Sequence, residues 1–247
     1  MNPKQNELLA AVPAETLERW LPFLELVDLE LGSVLSESGA MTDYVYFPVS
    51  GIVSLIYVME NGNEAEFAVV GLEGLLGISA FMGGDSTSSV TLVKCAGRAF
   101  RLSSQQFKKE FAHTPVMHLF LRFTQALLTQ ITQTGACNRH HTLPQQLSRT
   151  LLLSLDRVPG DEIVMTHELI ANMLGVRREG VSEAASDLRN AQIIVYARGR
   201  IRVLDRSALK AQSCECYAVV RQEYLRLLPL PLDNDESEVS DAALAPA

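Results

Sequence analysis

Residues 166–191, THELIANMLGVRREGVSEAASDLRNA, decide how the chain is read. Thr166 is placed to cap a helix, and Met165 can pack on Ile170 just inside it. Leu169, Ile170, Met173 and Leu174 recur at helical spacing and make one apolar face. Gly175 stands where that helix must stop and reverse, a position that favours a residue without Cβ. After Val176, a second helix turns Val181, Ala184, Ala185 and Leu188 inward. It leaves Arg177, Arg178, Glu179, Ser182, Glu183 and Arg189 facing out. A short helix, a glycine turn and a second helix that opens on basic residues form the helix-turn-helix pattern. Its second helix lies in the major groove of DNA. The same spacing also fits a plain helical hairpin in a core, so spacing alone leaves both readings open.

The residues that follow tip the balance toward DNA. Ile193–Tyr196 and Ile201–Leu204 are strand-like, and Ala197-Arg198-Gly199-Arg200 joins them as a short hairpin. This is the wing of a winged helix, with Arg198 and Arg200 at a tip where phosphate contacts are useful. The candidate DNA-contacting set is Thr166, His167, Arg177, Arg178, Glu179, Ser182, Glu183, Arg189, Arg198 and Arg200.

A net charge of −8 is unusual for a protein that binds DNA, but distribution matters more than the sum. Residues 166–210 hold eight Lys or Arg against five Asp or Glu, whereas residues 229–247 hold five acids and no base. A chain of 247 residues suits two domains. No apolar run approaches the roughly 20 residues of a membrane span, and the start MNPKQNELLA does not read as a secretion signal. The expected location is the cytoplasm, with no membrane partner.

Residues 4–29 read as helical, with Leu17, Trp20, Leu21 and Leu24 on the apolar face and Pro22 as a kink or stop. From about Glu30 to Arg101 the period changes to two. Candidate strands are 44–47, 51–58, 64–70, 89–93 and 97–102, with turns at 48–51 and at the Asn-Gly of 60–63. Several short strands of this kind make a small barrel or sandwich. From Thr114 to about Asn138 the period is helical again, and Phe120, Phe123, Leu127 and Ile131 belong to an apolar surface wider than one stripe. Such a helix needs cover on two sides. A dimer partner is the natural second side, and a wholly intramolecular core is the alternative. Thr142-Leu143-Pro144-Gln145 opens a further helix with a capping box, lined inside by Leu147, Leu151, Leu152 and Leu155. Residues 138–141 form the joint between the halves. Residues 207–228 are helical, and 229–247 read as a disordered acidic tail.

A β-roll, a long helix, a joint and a winged helix-turn-helix, in that order, resemble the Crp–Fnr family of bacterial transcription regulators. The most specific match is THELIANMLGVRRE, and CNRHH followed by LSRTLLLSLDR is similar to the interdomain segment of one branch. The resemblance implies an α+β chain. A cyclic-nucleotide-binding-like β-roll would occupy 15–113, a dimerisation helix and hinge 114–141, and the DNA-binding domain 142–228. It also implies a homodimer on a two-fold operator, with RNA polymerase as a further partner. The family's recognition helix offers Arg-Glu near its start and another Arg four positions after the Glu. Here Arg178 and Glu179 match, whereas Glu183 stands at the third position and Gly180 replaces a β-branched or hydroxyl residue. Arg pairs with guanine and Glu accepts from cytosine N4. The Glu183 departure means that the operator of cyclic-AMP-responsive members does not carry over.

The same resemblance directs attention to a Gly-Glu-Leu-Gly loop and a following Arg, which in nucleotide-binding members hold ribose and cyclic phosphate. Here the loop reads Gly74-Leu75-Leu76-Gly77, with Glu73 one position early, and no Arg or Lys lies between Gly71 and Val93. The candidate effector pocket is Glu73, Gly74, Leu75, Gly77, Ser88 and Ser89. A cyclic phosphate would be buried there without a counter-charge, so cyclic AMP and cyclic GMP are expected to bind weakly or not at all. Another ligand, or a purely structural roll, remain the alternatives.

No cofactor or metal is expected. Cys137, His140 and His141 lie at the joint and Cys214-Glu215-Cys216 lies in the last helix. Two cysteines two apart on a helix point about 200° from each other, a poor chelate. The two sets could bind zinc or haem or respond to oxidation, but they read better as buried thiols, and His113 and His118 as ordinary helix residues. No Ser-His-Asp order, HExxH or phosphate-binding GxxxxGK[ST] is present, so an enzyme is not expected. The competing function is a ligand- or redox-sensing module that reads no specific DNA.

Overall fold

The computed structural model describes residues 1–111 and 114–229. The predicted acidic tail beyond Pro229, and His113, lie outside the described residues. Two short helices, α1 (Glu7–Ala11) and α2 (Ala14–Trp20), open the chain. The Asn6 side chain caps α1 and also donates to the Pro48 and Gly74 carbonyls, at 2.9 and 2.8 Å, tying this segment to the sheet. Pro22 ends α2 in a 3-10 turn over 21–23. Residues 25–29, expected as helix, instead form strand β1 (Glu25–Leu29), captured along the edge of a later strand.

The roll continues with β2 (Val34–Ser36), β3 (Tyr44–Val58) and β4 (Glu64–Val70), then helix α3 (Ser79–Met82), strand β5 (Val90–Ser103) and helix α4 (Ser104–Phe111). The sheet order is β1-β5-β3-β4, with β2 also on β5. The predicted turn at 48–51 is absent. β3 runs through it, paired with β5 from Tyr44↔Ser103 to Ile56↔Val90 through three register shifts. The shifts centre on two glycines. A Cβ on Gly51 would lie 2.6 Å from the Cys95 oxygen, and one on Gly97 would lie 2.2 Å from the Ser50 oxygen. The backbones cross too closely for any side chain at either position. The Asn61-Gly62 hairpin between β3 and β4 forms as expected.

Helix α5 (Thr114–His140) is one unbroken element. Helix α6 (Leu143–Leu155) follows, with the Thr142 backbone N–H donating to Gln145 Oε1 at 3.0 Å. Residues 146–155 of α6 are buried on every face, wider burial than the single inner face expected, because the helix is the axis of the second half. Strand β6 (Glu162–Val164), helices α7 (His167–Leu174) and α8 (Arg178–Asn190) and strands β7 (Ile194–Ala197) and β8 (Arg200–Val203) complete the winged unit, with sheet order β6-β8-β7. Helices α9 (Arg206–Gln212) and α10 (Glu215–Leu227) close the chain.

The two halves share one continuous apolar core. α7 packs on β4, and α10 lies along α5. This arrangement corrects one expectation. Phe120, Phe123 and Leu127 are at most 1% exposed and Ile131 is partly buried, all within the chain's own core. Phe120 joins Trp20, Phe47 and Phe107 in an aromatic cluster, and Phe123 meets Tyr224 of α10 edge-on at 6.5 Å. The second cover of the wide apolar surface is thus α10. No described helix is long and apolar enough to cross a membrane.

Candidate nucleic-acid interface and effector cavity

The N-terminus of α7 is set by Thr166, whose hydroxyl accepts the Leu169 N–H at 3.1 Å. Its C-terminus is set by Gly175 at φ +65°, ψ +33°. There the Val176 N–H returns to the Ala171 carbonyl at 3.0 Å, closing the left-handed cap that turns the chain into α8. α8 buries Val181, Ala184, Ala185 and Leu188, as the spacing predicts. Gly180 has a packing reason: a Cβ there would lie 2.8 Å from Leu143 Cδ2, so α8 runs close past the start of α6.

On the free side, Arg177, Arg178, Glu179, Glu183 and Arg189 are all exposed. Arg177 is the N-cap of α8 and makes no capping bond with its side chain. Arg178 lies 3.9 Å from Glu168, an exposed pair that DNA can displace at little cost. Arg177, Arg178 and Glu179 thus stand at the mouth of the turn, whereas Glu183 lies further along α8 and Arg189 in its last turn, and two more members of the set are placed differently from expectation. Ser182 is half-buried and bonded to His167 Nδ1 at 3.0 Å, and the His167 ring stacks on Tyr196 at 4.1 Å. These two residues fix α7 against α8 and the wing. Desolvation, then the nearby Arg178 charge, lowers the pKa of His167, which keeps its imidazole neutral.

The wing tip is a two-residue turn with Arg198 at φ +50° and Gly199 at φ +77°. Arg198 is exposed with no salt bridge among the described residues. Arg200 is not free at the tip. It bonds Glu162 of β6 at 2.7 Å, and Arg202 shares that carboxylate at 3.1 Å. The side-chain bond from Arg200 is the first cause of the lowered Glu162 pKa. Sequence reading missed this pairing because it depends on β6 lying beside β8.

Within the roll is a cavity of about 670 Å³, walled by β-roll residues and by Leu127 and Ile131 of α5. Its charged wall residues are Glu37 and Asp43, and no Lys or Arg lines it. Arg101 stacks on the Tyr44 ring at 4.3 Å and bonds Glu25, and it does not line the cavity itself. Leu75, Gly77 and Ser89 line the space, whereas Glu73, Gly74 and Ser88 do not. Gly74 is pressed against Phe123, where a Cβ would lie 2.6 Å from the ring. Glu73 is buried and turned away, with Oε1 2.7 Å from Arg157 Nε beyond α6. It bridges the two halves and does not face the cavity. Cys137, His141, Cys214 and Cys216 converge at the joint, contrary to the divergence that a fully helical Cys-x-Cys implies.

Two family models match the chain. The cyclic nucleotide-binding domain covers residues 26–114, and the Crp-like helix-turn-helix domain covers 145–212. The global nitrogen regulator of Synechococcus elongatus is 24% identical over 202 residues, 76% of this chain and 90% of its own. The CRP-like cAMP-activated global transcriptional regulator of Mycobacterium tuberculosis is 26% identical over 199 residues, 77% of this chain and 85% of its own. Among solved structures, FixK2 from Bradyrhizobium japonicum superposes with a TM-score of 0.66 at 19% identity, covering 77% of this chain and 98% of that one. The c-di-GMP-responsive regulator CLP of Xanthomonas campestris gives 0.62 at 15%, covering 78% and 100%. With the roll, the long helix and the exposed reading helix in that order, the chain belongs to the Crp–Fnr family of DNA-binding transcription regulators.

Proposed function

We propose that the protein acts as a homodimer that reads a two-fold operator through the start of α8, without control by cyclic AMP. The observation that carries this reading is α8 itself. Its apolar face is buried, and Arg178 and Glu179 stand exposed in its first turn, where base edges are met. Arg178 forks onto guanine O6 and N7, Glu179 accepts from cytosine N4, and Arg198 holds a phosphate from the wing. Glu183 repels phosphate and narrows the acceptable flanking contacts.

Dimer formation is supported by a stripe along α5. Leu121, Gln125, Leu128, Thr132, Gly135 and Arg139 are all exposed and alternate at spacings of four and three, the seam of a paired helix. Leu121 is 46% and Leu128 54% exposed, large apolar side chains on an otherwise polar row. Half-sites about one helical turn apart follow from that geometry. Cyclic-AMP independence is supported by the cavity wall, where two carboxylates and no cation would meet an anionic phosphate. The space suits an uncharged or cationic ligand with an apolar body. The DNA-bound dimer works in the cytoplasm and presents its free surface to RNA polymerase.

Selection of bound sites from random DNA, with purified ligand-free protein, tests the reading. Enrichment of an inverted repeat with guanine in each half, unchanged by added cyclic AMP, is expected. Asymmetric sites or a requirement for cyclic AMP would sink it. Arg178→Ala should cost about 1–3 kcal/mol per contact and relax the guanine position. Uniform weakening across all sequences would mean that Arg178 holds only phosphate.

A further inference from the structure

Three cysteines and a histidine meet at a point outside both the interface and the cavity. Cys137, His141, Cys214 and Cys216 each bring one ligand atom to within 4.8 Å of all the others. The three thiols are buried and free. We infer that this cluster is a structural zinc-type site, in which one divalent ion is held by three thiolates and one imidazole.

Local structure brings the four together. Cys137 and His141 are one turn apart at the end of α5, where the His141 N–H donates to the Cys137 carbonyl at 3.0 Å, so both side chains leave one face. Gln146 of α6 braces that end by donating Nε2 to the His141 carbonyl at 2.8 Å and to the Cys137 carbonyl at 3.4 Å. Across from them, Cys214 is the N-cap of α10, with extended backbone at φ −84° and ψ +167°, and Cys216 lies in the first turn. The change of conformation between cap and helix turns the two sulfurs to one point. Cys214 Sγ lies 3.5 Å from Cys137 Sγ, and Cys216 Sγ lies 3.6 Å from His141 Nδ1.

Three features select the ligand. Bonds of about 2.0–2.3 Å place tetrahedral ligands about 3.3–3.8 Å apart, the range of the Cys137–Cys214 and Cys216–His141 pairs, and the remaining pairs lie within 4.8 Å. A multinuclear cluster would interpose its own core and spread the thiolates wider. The histidine is also oriented for the task. Nδ1 faces the sulfurs while Nε2 lies 3.3 Å from Glu215 Oε2, the carboxylate–histidine pairing that fixes a metal-binding tautomer. Charge is provided for as well. Three thiolates and a divalent ion leave one net negative charge, and the buried Arg149 lies close enough for all three to act on its guanidinium. Arg149 Nε has no hydrogen-bond partner among the described residues. On binding, three thiol protons pass to solvent and the neutral imidazole gives its lone pair.

The segment between the two ligand pairs contains α6, α7, α8, the wing and α9. One ion therefore clamps the start of α10 to the end of the long helix and closes the chain around the winged unit.

Metal content of the untagged full-length protein, purified anaerobically without chelator, is the first test. About one zinc per chain is expected. The reduced, metal-stripped protein should then take up one cobalt(II) per chain, with the intense visible bands of a tetrahedral ion and thiolate-to-cobalt charge transfer. Added zinc should abolish both. Cys95→Ser, outside the cluster, should leave the stoichiometry unchanged, whereas Cys214→Ser should lose the ion or bind it at least tenfold more weakly. Wild-type protein alone keeps the test decisive if a variant fails to fold. Metal-free isolated protein that gives only octahedral cobalt spectra, a Cys137–Cys214 disulfide in its place, or full metal retention by Cys214→Ser would overturn the site.

Discussion

Glu66 is a half-buried carboxyl whose desolvation has a consequence for pH. It sits on β4 where that strand meets Met173 and Leu174 of α7, and it hydrogen-bonds Ser54. Desolvation raises its pKa from 4.5 to about 7, against opposing effects from the Ser54 bond and the Lys94, Arg149 and Arg157 charges. The folded state thus holds a proton that the unfolded chain releases. Stability from this group is full below pH 4.5, falls as pH rises, and is lost above about 7. The total is about 3 kcal/mol by linkage. Urea unfolding of wild type should therefore weaken between pH 5 and 8, and Glu66→Gln should flatten that slope. An unchanged slope in the variant would place the proton elsewhere. None of this was visible in sequence, where Glu66 is one acid in an alternating strand. Arg178 and Glu179 were legible, because a helix start after a glycine turn is a local feature.

At the level of elements, turn chemistry misled where tertiary contact overrode it. Pro48 to Gly51 carries every mark of a turn, yet β3 continues through it. The close crossing with β5 needs Gly51 and Gly97, which the sequence presents as breakers. The cover of α5 is open in the sequence for a related reason. Periodicity showed that two faces needed partners but could not show that α10 returns to fill one. What remains outside is the row through Leu121 and Leu128. Leu128→Glu should leave the fold intact and shift the mass in light scattering from dimer toward monomer. A dimer of unchanged strength would assign the interface to another surface. The wing separates in the same way into a free and an engaged cation. Arg198→Ala should lower the salt dependence of DNA binding by about 1 per wing. Arg200→Ala should lower it less, because Arg200 must first leave Glu162. Equal effects from the two variants would mean that DNA breaks the Glu162 pair without cost.

Across the whole molecule, one buried polar chain joins the halves, and the sequence could not show it because its members lie in four distant segments. Arg157, just past α6, lies 2.7 Å from Glu73 in the roll and donates to Gln130 of α5 at 2.9 Å. Gln130 donates in turn to the Val69 carbonyl of β4 at 2.9 Å, and the Tyr224 hydroxyl of α10 reaches Gln130 at 3.5 Å. Glu73 also accepts the Gly71 N–H at 3.1 Å, which fixes the chain just ahead of the Gly74–Gly77 loop. Arg157 is 3% and Glu73 6% exposed, so neither charge can turn to water if the other is removed. Removing one partner of such a pair costs about 3–5 kcal/mol, whereas replacing both costs far less. Arg157→Met and Glu73→Gln should each destabilise by that order in denaturant unfolding. The double variant should fall well short of their sum, since the second change relieves the charge that the first one stranded. The single variants should also split one unfolding transition into two, because the pair couples the roll to the winged half. Additive losses within about 0.5 kcal/mol would show instead that the two charges act independently. The interface would then be held by the shared apolar core, and by the contact of α7 with β4, alone.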